Sequence, residues 1–277
     1  MLQVCSLGGG KASTALFHRS LMGLIERPAD VAVFADPGHE RASTWRTINY
    51  LKELAESKGV PVFIVKNDKL SDIWTNALIP DSKIGDLPFH TLDEKGKKTT
   101  LSKYCTGEYK RDPIRRFLRS ETFAKEMGIP KVSFKNPISL WLGYTVDEAS
   151  RIKASNRKYE IRRYPLALEL RWYREDCINY LKEQQLEWVE RSACIFCPYR
   201  RDEEYQEMPE NEIQRAIQFE NEVNAARGII TAKEGTQAPL RIHPSLVPLE
   251  QRPFDDPNLR NEQPTLFDLC EGSTCWT

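Results

Sequence analysis

Three groups of residues have the types and spacings that chemistry requires. The first is Cys5-Ser6-Leu7-Gly8-Gly9-Gly10-Lys11-Ala12-Ser13-Thr14, where three glycines separate a short apolar strand from Ala15-Leu16-Phe17 and Leu21-Met22, spaced for one face of a helix. Glycines let backbone approach a ligand closely, and a new helix offers free N–H groups and a positive dipole end, so the pattern suits phosphate. Ser6, Ser13 and Thr14 add hydroxyl donors. A glycine-rich turn that binds nothing is the alternative. Two known phosphate loops are excluded by spelling: Ala12 stands between Lys11 and Ser13 where a Walker loop needs none, and Ser13 stands where a dinucleotide fingerprint has its third glycine.

The second group is Cys194-Ile195-Phe196-Cys197-Pro198. Two cysteines with two residues between them can place both sulfurs on one metal, and proline often follows a cluster cysteine. One such pair cannot close a four-coordinate site, and Cys105 is the first candidate partner. A thioredoxin-like redox pair would open a helix early in a βαβ unit, which this position does not match. The third group is Cys105 itself, followed by Lys110, Arg111, Arg115 and Arg116, an electropositive setting expected to lower the thiol's pKa. An unreactive half-buried cysteine is the alternative.

These residues need elements to hold them. Val31–Phe34 reads as a second strand ending at Asp36, which would put an acid at the crevice where open α/β sheets bind ligands; an Asp-Pro-Gly turn explains it as well, with His39 on the surface of that turn. A helix from about Ser43, as its cap, to Lys58 stops at Gly59, and residues 60–65 form a third strand. That alternation predicts a parallel, right-handed βαβ sheet. Further along, the patterns predict a short helix over 70–78, a loop or hairpin to Thr100, a helix from Arg115 to Met127 and a strand over 138–142. Thr145 is then expected to cap a helix with Glu148 completing a capping box, which leaves Arg151 with the claim to a ligand. An amphipathic helix opens near Tyr173, with Cys177 as a small core residue. Residues 203–227 read as helical, 237–262 as a proline-rich wrap, and Cys270 and Cys275 lie in a tail.

The chain has 277 residues, 40% hydrophobic and 29% charged, ordinary for a globular protein. With no long apolar run and no signal-peptide layout, no membrane partner and a cytoplasmic location are expected. Seven cysteines in such a chain point to metal or thiol chemistry rather than a disulfide framework. Net charge is zero, yet residues 97–174 hold 19 Lys and Arg against 8 Asp and Glu, a net of +11. A solvated face is the usual explanation; a nucleotide or a nucleic-acid backbone is the other.

Taken in order, these motifs resemble the phosphoadenosine phosphosulfate (PAPS) reductase family, within the PP-loop group of adenine-nucleotide α-hydrolases and sulfurtransferases. The resemblance runs over roughly residues 1–205: the glycine loop, Phe34-Ala35-Asp36-Pro37-Gly38-His39-Glu40, Cys105 ahead of Lys110 and Pro113, the Gly143 to Arg151 turn, and the Cys194/Cys197 pair. In layout the chain is similar to the sulfur-transfer enzymes of DNA phosphorothioation, in a phage- and mobile-element-associated branch. It departs from the usual Ser-Gly-Gly-Lys-Asp-Ser loop, since Ser6-Leu7 precedes the glycines and Ala12 replaces the aspartate. Cluster-bearing reductases carry adjacent cysteines where this chain has Tyr104-Cys105.

The resemblance implies an α/β fold, an open parallel sheet of about five strands with helices on both faces over 1–205, and a helical and irregular extension over 206–277. It implies adenine nucleotide, ATP or else PAPS or adenylylsulfate, on Ser6, Gly8, Gly9, Gly10, Ser13, Thr14 and Asp36, with magnesium as a companion. It implies a 4Fe-4S cluster on Cys105, Cys194 and Cys197 with one iron open for a sulfide, zinc being the alternative. The leading expectation is an ATP-dependent sulfurtransferase in which Lys110, Arg111 and Arg151 stabilise charge at the α-phosphate, with a DNA or RNA acceptor on the basic 97–174 segment and a sulfur-donor protein. A second expectation is a reductase whose Cys270 or Cys275 attacks the sulfur of an adenylylated sulfate and releases sulfite; its family keeps that cysteine in a Glu-Cys-Gly tail, here reordered as Cys270-Glu271-Gly272. A third makes the cysteines a structural zinc site in a nucleic-acid-binding module without turnover.

Overall fold

The computed structural model describes residues 1–79, 87–227, 238–252 and 254. Its strands among these are β1 Gln3–Leu7, β2 Val31–Ala35, β3 Val62–Val65, the hairpin β4 His90–Leu92 and β5 Lys98–Thr100, β6 Ile138–Trp141 and β7 Glu160–Arg163. The helices are α1 Lys11–Leu21, α2 Ala42–Ser57, α3 Ile73–Ala77, α4 Asp112–Leu118, α5 Glu121–Glu126, α6 Arg174–Glu183, α7 Asp202–Gln206 and α8 Glu210–Arg227. Five strands form one all-parallel sheet in the order β3-β2-β1-β6-β7, the expected α/β fold.

The central strands β1, β2 and β6 are buried along their whole length, so alternate residues feed two cores. Cys5, Leu7, Ala32, Phe34 and Trp141 face α1, α2 and α6 through Phe17, Ile48, Leu51 and Leu181. Val4, Val31, Val33, Ile138 and Leu140 face α4 and α5 through Ile114, Leu118 and Phe123. A third cluster joins α3, the hairpin, α7 and α8 around Phe196 and Phe219, whose rings stack at 3.8 Å. Among the described residues no helix is long and apolar enough to cross a membrane.

The edge strand β7 carries no apolar period because its inward positions are ionic. Arg115 donates to both Glu160 oxygens at 2.9 Å, and Arg162 Nε and Ser155 Oγ donate to the same carboxylate.

Four helical expectations are corrected. The segment 115–127 is two helices, because the Ser120 side chain accepts the Phe123 N–H and caps a new one. Ser43 is not the cap of α2, which starts at Ala42; the Ala42 N–H is taken by Glu212 from α8, at 2.9 Å, so a distant carboxylate does the capping. Gly59 does stop that helix, at φ +71°. The box at Thr145 does not form: Val146–Arg151 is a 3₁₀ segment, the Thr145 hydroxyl donates to Asp147, and Glu148 turns to Arg151 instead. Residues 203–227, expected as one helical stretch, divide between α7 and α8 at Met208-Pro209.

Candidate nucleotide cavity and cysteine centre

In a sheet of this order, connections leave β1 and β6 toward opposite sides, and a crevice opens beyond their carboxyl ends. The loop after β1 is Gly8-Gly9-Gly10. Gly9 has φ +74°, and a Cβ there would lie 2.8 Å from Thr44 Cγ2, so both backbone and space demand glycine. Ser13 Oγ accepts the Gly8 N–H at 3.2 Å and donates to Gly10 O at 3.1 Å, latching the loop to the first turn of α1. The first bond within that helix runs from Thr14 N–H to Gly10 O at 2.9 Å. The amides of Lys11, Ala12 and Ser13 therefore have no acceptor inside the helix, and no acidic side chain lies in its first turn.

The loop after β6 closes on this turn. A Cβ on Gly143 would stand 3.0 Å from Ser13 Cα and 3.1 Å from Ser13 N, so the two backbones touch. Between them lies a cavity of about 450 Å³, the size of a nucleotide-scale ligand site. Phe34 and Ala35 supply its apolar side, and Thr106 and Lys110, from the π-helical turn Thr106–Arg111, form one wall. Arg151, Arg174 and Arg191 add cationic side chains. Arg151 is held by Glu148 and by the Tyr144 hydroxyl at 3.2 Å, with its guanidinium 4.3 Å from the Tyr144 ring centroid.

The expected residues are distributed unevenly. Ser6, Gly8, Gly10, Ser13, Lys110 and Arg151 line the cavity. Gly9 backs onto α2, and Thr14 is fully buried with its hydroxyl unpartnered. Asp36 is not among the lining residues: its carboxylate accepts the Gly38 N–H at 2.7 Å and pairs with Lys66 at 3.0 Å. Arg111 is off the cavity and pairs with Asp112 at 3.1 Å. Lys11, Thr145, Arg174 and Arg191 line it without having been singled out; the immediate sequel of Lys11 to the glycines was the available signal.

Behind the Lys110 wall sit the three expected thiols. Cys105 precedes the π-helical turn; Cys194 forms an isolated antiparallel bridge with Glu40, and Cys197 N–H returns to Cys194 O at 3.1 Å. Arg200 donates to the same carbonyl at 2.8 Å. Burial pushes the Cys105 thiol up to about 11, with Cys197 adding to the rise and Lys103 and Lys110 pulling against it. The expected lowering is thus corrected: desolvation outweighs the ammonium groups. Burial, then the Glu40 charge, holds Cys194 well above the usual thiol range. The three thiols are close enough to act on one another, yet among the described residues no group of three or more His, Cys, Asp and Glu is placed to hold a single metal ion. A shared zinc needs its donors each about 2.3 Å away. Cys270 and Cys275 lie outside the described residues.

Lys110 connects the two halves. Its ammonium pairs with Glu40 Oε1 at 2.5 Å, while the Glu40 side chain is wholly buried and its Oε2 has no hydrogen-bond partner. Burial opposes the Lys110 charge, but Glu40 and the thiols of Cys194 and Cys197 overcome it and raise its pKa. His39 is not the surface residue its turn suggested. The C-terminal layer covers it: it lies between Trp74 and Phe196, with Nε2 2.9 Å from Asp72 Oδ1 and Arg215 3.3 Å from Nδ1. Cys177 is a core residue as expected; burial pushes its thiol up to about 12.

No protein-family model and no curated protein matches the chain.

Proposed function

We propose that this chain is an adenine-nucleotide-dependent sulfurtransferase of the PP-loop type, akin to the PAPS reductase family. It activates an acceptor, a nucleic acid in keeping with its basic middle segment, by attack of an acceptor oxygen on the α-phosphorus of ATP with loss of pyrophosphate. Sulfide, supplied at that oxidation level by a donor protein, then attacks the activated atom; its bond to sulfur forms as its bond to the adenylated oxygen breaks, and that oxygen leaves with AMP.

One observation carries the reading: the glycine-loop cavity and the three cysteines share a wall, and Lys110 is in it, lining the cavity and acting on Cys194 and Cys197 at once. The amides opening α1 and the Ser6 hydroxyl receive phosphate, with Ser13 holding the loop in shape; Lys11, Lys110 and Arg151 stabilise charge that develops on it. Glu40 positions Lys110. Cysteine sulfur suits iron–sulfur and zinc alike; in this reading Cys105, Cys194 and Cys197 would hold an iron–sulfur cluster, which would supply an open iron for sulfide.

The test is iron, acid-labile sulfide and zinc content with the visible spectrum, on protein purified without oxygen, beside a Cys194→Ala control. Iron and sulfide lost in the control, followed by AMP and pyrophosphate release when acceptor and sulfur donor are supplied, is the expected result. Stoichiometric zinc without a chromophore would make the cysteines structural, and ATP left intact with every nucleic-acid acceptor and donor would sink the transfer reading. Sulfite release abolished by truncation ahead of Cys270 would select the reductase.

A further inference from the structure

The +11 segment is not one surface. The sheet splits it: Lys110, Arg151 and Arg174 line the cavity at the carboxyl ends of the strands, whereas a second set gathers on the loops that enter β6 and β7, at the opposite edge. Those loops, residues 131–136 and 153–158, hold Lys131, Lys135, Lys153, Arg157 and Lys158 and no acidic residue. They are neighbours, since Ile138 N–H donates to Tyr159 O at 3.0 Å and Ile138 stands beside Glu160 in the sheet. Arg119 joins them, its guanidinium 4.8 Å from the Tyr159 ring centroid.

Charge alone describes an ordinary solvated face; the aromatic residue there does not. Phe134 is 67% exposed, the most exposed large apolar side chain among the described residues. It is not on a slack loop. Ser133 and Asn136 exchange backbone hydrogen bonds at 3.2 and 3.1 Å, Val132 is buried below, and Pro130 and Pro137 restrict the chain on either side. The second loop is equally built: Ser155 Oγ accepts from Arg157 N–H and donates to the buried Glu160, and Glu160 N–H returns to Arg157 O. Lys135 lies 5.8 Å from the Phe134 ring centroid, and Lys135, Arg157 and Lys158 carry no ion pair among the described residues.

We propose that this edge is a docking surface for single-stranded nucleic acid, with Phe134 stacking on a base and Arg119, Lys135, Arg157 and Lys158 tracking the phosphates. A rigidly presented ring amid unpaired cations is what a strand needs, since every base has a face to stack and every linkage a charge. The surface lies about 15 Å from the cavity along β6, at roughly 3.3 Å per residue, so it holds an acceptor strand away from the reacting end. The inference rests on the nucleic-acid part of the function proposed above, not on the nucleotide or the cysteines.

The experiment is fluorescence anisotropy with labelled oligothymidine and oligouridine against the full chain over a salt series, with ATP binding followed in parallel by calorimetry. The wild type should bind with a log–log salt slope of about −2 to −3, each phosphate contact on a single strand contributing about 0.7. Phe134→Ala should weaken binding about fivefold or more with the slope unchanged. Lys135→Glu with Arg157→Glu and Lys158→Glu should abolish binding, while Lys52→Glu with Lys58→Glu, on α2 and its C-cap ahead of β3 at the other end of the strand order, leaves it intact. All variants should keep the wild-type unfolding transition and ATP affinity. Binding that ignores the edge variants would overturn this surface and leave a nucleic-acid acceptor standing. No binding at low salt would overturn the surface and the nucleic-acid acceptor, leaving the ATP chemistry to be judged by its own assay. Equal displacement by a polyglutamate peptide, with Phe134→Ala silent, would reduce the edge to plain electrostatics and overturn the proposal.

Discussion

Replacing Gly143 by alanine should damage the protein where replacing Gly8 does not, although both residues line the cavity. The new Cβ at 143 meets backbone, Ser13 Cα at 3.0 Å and Ser13 N at 3.1 Å. An ordinary carbon contact is about 3.5–4.0 Å, so the start of α1 must retreat by roughly half an ångström. That is overpacking against groups that cannot rotate away, with a cost of about 1–3 kcal/mol. In a chain of 277 residues it lowers the midpoint of thermal unfolding by about 2–5 °C. The retreat also displaces the amides of Lys11, Ala12 and Ser13, so affinity for inorganic phosphate or ADP should fall with stability. At Gly8 the added Cβ finds only Ser13 Oγ, at 3.5 Å, an ordinary contact with no backbone penalty. Gly8→Ala should leave stability within about 0.5 kcal/mol of wild type and reduce phosphate affinity alone, because the methyl group occupies space kept for the ligand. Denaturation curves and calorimetric titration on the three proteins decide it. Equal losses at both positions, or an unchanged Gly143→Ala, would refute the contact on which the cavity is built.

Removing the carboxylate of Glu160 strands two buried guanidinium groups, Arg115 and Arg162; Glu160→Ala should therefore lose about 3–5 kcal/mol in urea denaturation with its slope unchanged, and a loss under about 1 kcal/mol would mean the pair is solvated. Lys110→Met leaves Glu40 buried with neither oxygen paired, a cost of about 3 kcal/mol that Glu40→Gln in the same chain should largely restore; additive losses would show that the two do not interact. Burial works to raise the pKa of Asp72, but hydrogen bonds from the Thr75 side chain and backbone and from His39 outweigh it and hold the carboxyl at about 2, against an ordinary 3.8. The folded value is the lower one, so this contribution is complete above the ordinary value and fades as pH falls through the folded one. Asp72→Asn should flatten the stability-against-pH curve across that window and nowhere else; an unchanged acid limb would remove Asp72 from the account.

What could be read from the chain alone followed from whether a residue's partners were near it in sequence. The glycine loop and the apolar strands were legible because their signals are local: Gly8-Gly9-Gly10 between a strand and a helix, and wholly apolar runs such as Val31–Phe34. The cap of α2 was misread at Ser43 because the true acceptor, Glu212, is 170 residues away from the Ala42 it bonds. Strand β7 gave no signal because its core is ionic, Glu160 being answered by an arginine 45 residues earlier. Cys105 was misjudged for the related reason that neighbouring charges are visible in sequence while desolvation is not.

The same logic explains why the cavity and the thiols meet. A parallel sheet delivers the ends of β1, β2 and β6 to one edge, which brings Gly8, Glu40 and Gly143 together from distant parts of the chain. The thiols need more than the sheet. Cys194 is held by its bridge to Glu40, Ile195 N–H bonds His39 O at 2.9 Å, and Phe196 stacks on Phe219 of α8, so the C-terminal layer presses the Cys194–Cys197 turn onto the loop after β2. Arg41 completes the clamp, bonding Glu212 of α8 at 2.7 Å from within that loop. The glycine loop is shaped by its own turn and by Thr44 and Gly143, whereas the Cys194–Cys197 turn is held in place through Phe219 of α8. Loosening α8 should therefore disturb the Cys194–Cys197 turn before it disturbs the cavity at the glycine loop.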